Sequence, residues 1–312
     1  MTRWTTLLMD NAQLSALPRV PAEDVLRHAD LVAARKPKPV ELYRRWDRQQ
    51  WSAEDLSLQR DHAMLHDERV PAGMRAMLSN AIATFIIGEY TGLDMLGPIL
   101  TGSPDEDYSV FLGTQIADET RHTRAVFRMG AEVLGLDENP RAMLAQAWGL
   151  ATPAHTELAL LEGRIVRGVH ERPMDYGSWL QAVSLFHLIT EGVLALVGQR
   201  VLVHALRDIN LFDGIKTAFV AMCRDESRHI GFGLHALRTG VQEGYADQIY
   251  GVLEEAVPLA LRLDNEFEGI AVDFRAMSID ILRSHLAAIG ADPAFVAHLL
   301  DRHDTRTALH TV

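Results

Sequence analysis

Two stretches 107 positions apart are nearly identical: DETRH at Asp118–His122 and DESRH at Asp225–His229. With 19 glutamates and 14 histidines in 312 residues, chance supplies roughly one Glu-x-x-His, so the spacing alone means little. The context means more. Both copies begin with Asp, both place Arg before His, and both lie in long segments of helix-forming residues. Residues three apart share a helix face, so Glu119 projects with His122 and Glu226 with His229. Leu112, Gln115, Val126, Met129 and Val133 continue the first face; Phe219, Met222, Gly233 and Ala236 continue the second. Both pairs therefore point inward, where an unpaired carboxylate costs several kcal/mol and demands a partner, a proton or a metal.

Two further glutamates interrupt apolar stripes. Glu89 sits in ATFIIGEYTGLDML and Glu191 in SLFHLITEGVLALVG. Each precedes a Glu-x-x-His by about one helix and turn, giving the order Glu, Glu-x-x-His, Glu, Glu-x-x-His. A dimetal-carboxylate centre in a helix bundle needs this set: one Glu from each of two helices and a Glu-x-x-His from each of the other two. Four carboxylates offset two divalent cations, and a donor set rich in oxygen with two imidazoles and no thiolate suits iron or manganese. Asp118 and Asp225 are placed to accept a hydrogen bond from an imidazole N–H, on their own helix or the opposite one, which would fix the ring tautomer; the competing expectation is surface pairing with Arg121 and Arg228.

The elements that must position these groups are long helices. Breaks at RKPKPVE, ERVPAG, TGSPDED, GLDENP, HERPMDYG and INLFDG separate segments at 73–101, 104–135, 140–170, 174–208 and 212–243. Helices of that length belong to bundles. The expectation is an all-α chain forming one domain over 1–312, with a four-helix core at about 73–243 and peripheral helices at 20–70 and 246–303. No run of about 18 apolar residues lacks charge, so no membrane span is expected, and the N-terminal stretch is too weakly apolar for a signal peptide. The net charge of -12 disfavours nucleic acid, whose phosphates need clustered Lys and Arg. Cys223 is the sole cysteine, which excludes an internal disulfide and fits a reducing cytoplasm.

Beyond the motifs, His187 lies four residues before Glu191 and Gln115 four before Glu119. A histidine bonded to a carbonyl is the commoner arrangement, and a role at the site is the alternative. Cys223 reads as a small core residue or a thiol facing a pocket. Gly92, Phe186, Ala195 and Met222 either shape a substrate pocket or fill plain core. Glu157, in AHTELALLEG, reads as an ion pair or a group outside the ligand set.

Over about 75–265 the chain resembles the ferritin-like dimetal-carboxylate proteins, and within them the ribonucleotide reductase small subunit and its relatives the ligand-binding oxidases. The segments that carry the likeness are FIIGEY, DETRHTRAVFRM, ITEGVLALVG, DESRHIGFG and PLALRL. GEY and DETRHT also resemble bacterial monooxygenase hydroxylase subunits. The resemblance implies a ferritin-like bundle with Glu89, Glu119, His122, Glu191, Glu226 and His229 as ligands to two metals, Fe/Fe or Mn/Fe. Glu119 and Glu191 would bridge or shift, and movement of Glu191 or Glu226 would open a position for O2 as co-substrate. A homodimer, an electron-donor protein and a small-molecule substrate are the partners it implies.

Three departures bear on activity. The position of the reductase's radical tyrosine, four after the first motif histidine, is Val126. The positions that the ligand-binding oxidases cross-link are Gly92 and Phe186. The extra histidine of arylamine N-oxygenases corresponds to Met222. The expected activity is therefore O2-dependent oxidation of an external apolar or amphiphilic molecule: hydroxylation, N-oxygenation, desaturation or cleavage. The alternatives are a reductase small subunit without its tyrosine, or a non-enzymatic metal-binding or storage protein.

Overall fold

In a computed structural model, residues 35–150, 153–207, 211–263 and 273–304 are described. Every regular element among them is helical. Before the bundle come α1 (Pro39–Trp46), a single 3-10 turn at Ala53–Asp55 and α2 (Gln59–Leu65). The core helices are α3 (Ala72–Thr101) and α4 (Glu106–Glu132). Two outer helices follow, α5 (Pro140–Trp148) and α6 (Pro153–Glu171). Next is α7, which runs as α-helix over Tyr176–Val183, as π-helix over Ser184–Ala195 and again as α-helix over Leu196–Arg207. Then come α8 (Asp213–Gln242), α9 (Ala246–Arg262), α10 (Phe274–Ile289) and α11 (Pro293–Leu300). Thus α3, α4, α7 and α8 form the expected four-helix bundle, with α3 against α4, α7 against α8, and α4–α8 and α3–α7 contacts closing it.

One expectation needs correction, and one helix bears on a second expectation. The segment 140–170 is two helices rather than one, because Trp148 is followed by the Gly149 cap and α6 restarts at Pro153. Tyr176–Val203 is long and apolar enough to cross a membrane by length and composition, but 78% of its most apolar window is buried inside the protein. It reads as a bundle-core helix that neighbouring helices cover. Of the peripheral region 20–70, residues 20–34 lie outside the described part.

Local chemistry sets the helix ends. Asp105 accepts the Tyr108 backbone N–H at 3.1 Å and starts α4, and Asn139 caps α5 ahead of Pro140. The start of α8 is capped from a distance. Phe212 there has φ 54, and Asp61 of α2 accepts the Ile215 N–H at 2.7 Å. Gly214 is obligatory at this junction, since a Cβ would lie 2.3 Å from the Ser57 carbonyl oxygen and 2.6 Å from Asp61 Oδ2. Gly233 has the same role where α8 crosses α7: a Cβ would lie 2.3 Å from His187 Cβ.

The apolar core falls into two clusters. One includes Leu96, Phe111, Leu188 and Leu237; the other includes Ile82, Phe85, Val126 and Phe219. On α3, α4 and α8 polar, buried residues lie between the two clusters: Glu89; Gln115, Asp118, Glu119, His122 and Thr123; and Arg224 to His229. The bundle thus sandwiches a charged layer between two apolar halves.

Burial raises the Asp61 carboxyl from 3.8 to about 6, against the lowering effect of the Ile215 and Gly214 amides. Its folded-state value lies above its ordinary one, so its stabilising contribution is complete below pH 3.8 and is lost as pH rises through about 6. Asp61→Asn keeps an acceptor and abolishes this titration. Thermal melts from pH 5 to pH 8 should show wild type losing stability relative to the variant as pH rises; a constant difference would contradict the assignment.

Candidate metal centre

Glu89 of α3, Glu119 and His122 of α4, Glu191 of α7, and Glu226 and His229 of α8 converge in the charged layer, none more than 5% exposed. Their ligand atoms form two overlapping sets, each within 4.8 Å. The first is Glu89, Glu119, His122 and Glu226; the second is Glu119, Glu191, Glu226 and His229. His122 Nδ1 lies 3.4 Å from Glu89 Oε2 and 3.6 Å from both Glu119 Oε1 and Glu226 Oε1. His229 Nδ1 lies 3.1 Å from Glu119 Oε1, 3.2 Å from Glu191 Oε1 and 3.3 Å from Glu226 Oε2. Glu119 and Glu226 belong to both sets, whereas Glu89 and Glu191 each belong to one.

The donor set fits a pair of cations. Both imidazoles turn Nδ1 inward and Nε2 outward. Glu119 Oε1, His122 Nδ1 and Glu191 Oε2 are buried without any hydrogen-bond partner. Orphaned acceptors at such depth are costly in a finished protein unless a cation fills the space between them.

The outward nitrogens explain Asp118 and Asp225. His122 Nε2 faces Asp225 Oδ2 at 3.4 Å and His229 Nε2 faces Asp118 Oδ2 at 3.2 Å, so each carboxylate serves the imidazole of the opposite helix. With Nε2–H donated outward, each Nδ1 keeps its lone pair for a cation. Arg228 ties the two carboxylates together, donating to Asp118 Oδ2 at 2.5 Å and to Asp225 Oδ1 at 2.9 Å. Burial alone would raise the Asp225 carboxyl; Arg224 and Arg228 overcome it and hold it well below its ordinary value. Asp118 is lowered in the same way, with Arg228 opposing burial. Arg121 pairs with Asp118 as well, so the arginines of both motifs have buried partners.

Residues before the bundle complete this layer, and sequence reading does not find them. Trp46 Nε1 donates to Asp118 Oδ1 at 3.0 Å and Trp51 Nε1 to Asp225 Oδ2 at 2.6 Å. Gln49 accepts from Arg228 Nη1 at 2.7 Å. The only signal is two tryptophans and a glutamine close together in an otherwise polar stretch.

On the α7 side, Gln115 Nε2 donates to Glu191 Oε1 at 2.8 Å, and His187 Nε2 lies 3.0 Å from Gln115 Oε1. This chain holds one oxygen of Glu191 and leaves the other unpartnered. Burial, then the nearby His229, lowers His187 to about 3, so it is a neutral imidazole.

A cavity of about 110 Å³ opens beside the cluster, with Glu89, Glu119, Glu191 and Glu226 on its wall. Gly92 and Phe186, two of the expected pocket residues, line it, as does Ala195. A Cβ at Gly92 would meet the Phe186 ring at 3.2 Å, so the ring lies directly over the glycine. His187, Met222 and Cys223 are not on this wall. His187 is bonded to Gln115, Met222 belongs to the apolar core, and Cys223 is fully buried with its thiol pushed up by burial. Glu157 is an exposed partner of Arg262, and the buried acid of its helix is Glu162.

Removing Arg228 strands two buried carboxylates. Arg228→Met should lower unfolding free energy by about 3–5 kcal/mol in urea titrations; a loss below about 1 kcal/mol would show that Arg121 and Arg224 suffice.

No curated protein matches the sequence. Among solved structures, variants of an R2-like ligand-binding oxidase share the fold. One, with an anaerobically reconstituted Mn/Fe cofactor, has TM-score 0.69 at 17% identity, covering 81% of this chain and 92% of that one. A second, aerobically reconstituted with Mn/Fe, has TM-score 0.64 at 16% identity over 86% and 92%. A third, with a non-activated Mn/Mn cofactor, has TM-score 0.68 at 17% identity over 81% and 92%. The family model for the ribonucleotide reductase small chain matches residues 29–267. With that match spanning most of the sequence and the bundle carrying the paired Glu-x-x-His helices, the chain belongs to the ribonucleotide reductase small chain family.

Proposed function

We propose that the protein is an O2-dependent dimetal oxidoreductase that oxidises an apolar or amphiphilic small molecule held beside the ions. The observation that carries this reading is the continuity of the cluster with the cavity: the four glutamates that would hold the metals also form part of its wall. Bound iron or manganese would supply the electrons that reduce O2. Mn/Fe and Mn/Mn cofactors are held by the similar oxidase variants, and Fe/Fe or Mn/Fe is the pair proposed here.

The chain's own residues have distinct parts in this. Glu119 and Glu226 would hold both ions at a fixed separation, while Glu89 and Glu191 would each serve one. Glu191, held at Oε1 by Gln115 and unpartnered at Oε2, or Glu226 would be the carboxylate that shifts to open a position for O2. Phe85, Phe186, Leu194 and Phe274 give the cavity an apolar lining that favours a hydrocarbon body and excludes water.

An external substrate is favoured because the positions that relatives use for oxidisable or cross-linked residues hold Val126, Phe186 and Gly92 in this chain. Val126 and Phe186 stand buried where relatives carry oxidisable tyrosines, and Gly92 has no side chain to cross-link. The family match itself favours a second reading, a reductase small subunit without its tyrosine. Partner-dependent reduction of ribonucleotides would support that reading. A homodimer, a cytoplasmic setting and a separate electron-donor protein complete the proposal.

Metal analysis tests the centre. Wild type loaded with ferrous iron, or with manganese and iron, should retain two ions per chain. Glu89→Ala should retain about one, and Glu119→Ala should lose affinity at both positions, because its carboxylate is shared. Wild type should then consume O2 with transient optical bands whose decay speeds up with the right substrate. Retention of a single ion by wild type, or decay indifferent to every small molecule tried, would refute the reading.

A further inference from the structure

Glu162 takes no part in the metal cluster, yet it shares the cavity wall with it. Its side chain is 5% exposed. Thr190 donates its hydroxyl to Glu162 Oε1 at 2.8 Å, and His155, seven residues earlier on the same face of α6, lines the cavity too. Among the described residues, the side chains that act on the Glu162 carboxyl are Thr190 and His155. Burial raises it from 4.5 to about 7, against the lowering by Thr190 and His155. A carboxylate placed like this is incompletely compensated, and a cation arriving in the cavity would complete it.

We propose that the cavity accepts an apolar molecule bearing a primary amine, and that Glu162 and Thr190 form the subsite for its ammonium group. This rests on reading the cavity as the substrate site. The rest of the wall selects by exclusion. Glu89, Glu119, Glu191 and Glu226 leave a ligand carboxylate near Glu162 facing further acceptors. A hydroxyl would donate one hydrogen bond without offsetting a charge. An ammonium would do both, and charge-assisted hydrogen bonds are about twice as strong as neutral ones.

Thr190 makes the exchange inexpensive. Its hydroxyl has one proton and two acceptors in reach, Glu162 Oε1 at 2.8 Å and the Leu185 carbonyl at 3.2 Å. The second acceptor lies five residues back because this part of α7 is π-helical. When an ammonium occupies Glu162, Thr190 turns its proton to Leu185 and no polar group is stranded. Leu158 and Ala159 of α6, with Phe186 and Leu194 of α7, offer the apolar surface for the remainder of the molecule.

Three ligands of one hydrocarbon length test the subsite: hexylamine, hexan-1-ol and hexanoate, titrated calorimetrically into the full-length chain, metal-loaded and after chelation. Hexylamine should bind roughly tenfold to a hundredfold more tightly than hexan-1-ol in both forms, with hexanoate no better than the alcohol in the chelated form. Glu162→Gln should erase the preference for the amine while its melting temperature stays near that of wild type. If the variant fails to fold, the ranking of the three ligands on wild type decides. Equal binding of amine and alcohol, preference for hexanoate after chelation, or an amine preference that survives in a folded Glu162→Gln protein would each overturn the proposal. The oxidase reading fails separately. Amine selection with O2 consumption unchanged by the amine would leave the subsite standing and remove the enzyme; faster O2 consumption with hexan-1-ol and not hexylamine would do the reverse.

Discussion

Four carboxylates, two imidazoles and three lone pairs without partners lie at the centre of the bundle, and the rest of the fold answers to that concentration of charge. Desolvating several carboxylates together is costly, and two cations bound among them would offset that cost more fully than any packing around them. The protein meets half of the problem internally. Around the inner layer it wraps an outer one in which Asp118 and Asp225 are matched by Arg121, Arg224 and Arg228, with Trp46, Gln49 and Trp51 meeting further donors and acceptors. The outer layer is balanced by the chain itself; the inner layer carries the donor set for metal.

Each helix therefore has a positioning task that its apolar stripe cannot perform alone. Gly233 lets α8 approach His187 closely, and Gly214 with Asp61 fixes where α8 begins. The π-helical stretch of α7 is part of the same requirement. With hydrogen bonds reaching five residues back, it shifts the register of the side chains around Glu191, placing Thr190 toward Glu162 and Glu191 toward His229.

Much of this was legible in sequence and some was not, for physical reasons. The paired motifs, together with Glu89 and Glu191, stand out because a charged residue breaks an apolar stripe at a known helical spacing. The crossing of Asp118 to His229 and Asp225 to His122 needed three dimensions, since a helix alone also permits Asp118 to face Arg121 on its own surface. His187 and Gln115 are adjacent in helical projection to Glu191 and Glu119, but that they form one chain follows from the pairing of α4 with α7. On α6 the pattern misleads. Leu160 is 70% exposed while Glu162 is buried, the reverse of what their side chains favour, so periodicity points away from the one acid in the helix that faces the cavity. The break at Gly149 is obscured because a single glycine is tolerated within a helix.

The substitutions of tyrosine matter for the direction in which oxidation can proceed. In a closed bundle, an oxidising equivalent formed at the centre goes to the nearest group that gives up an electron or hydrogen atom readily. Phenylalanine at 186 and valine at 126 do not, and glycine at 92 offers no β-carbon to attack. On the side of the histidines, Trp51 is hydrogen-bonded to Asp225 and stacks near His122 with ring centroids 6.2 Å apart, an oxidisable ring next to the centre. On the side of Glu89 and Glu191 there is instead a cavity whose largely apolar wall adds one more buried acid, Glu162, to the four glutamates of the cluster. The two sides of the centre thus differ in kind: one is filled by a fixed network that reaches the peripheral helices, and the other opens onto a cavity with a largely apolar lining.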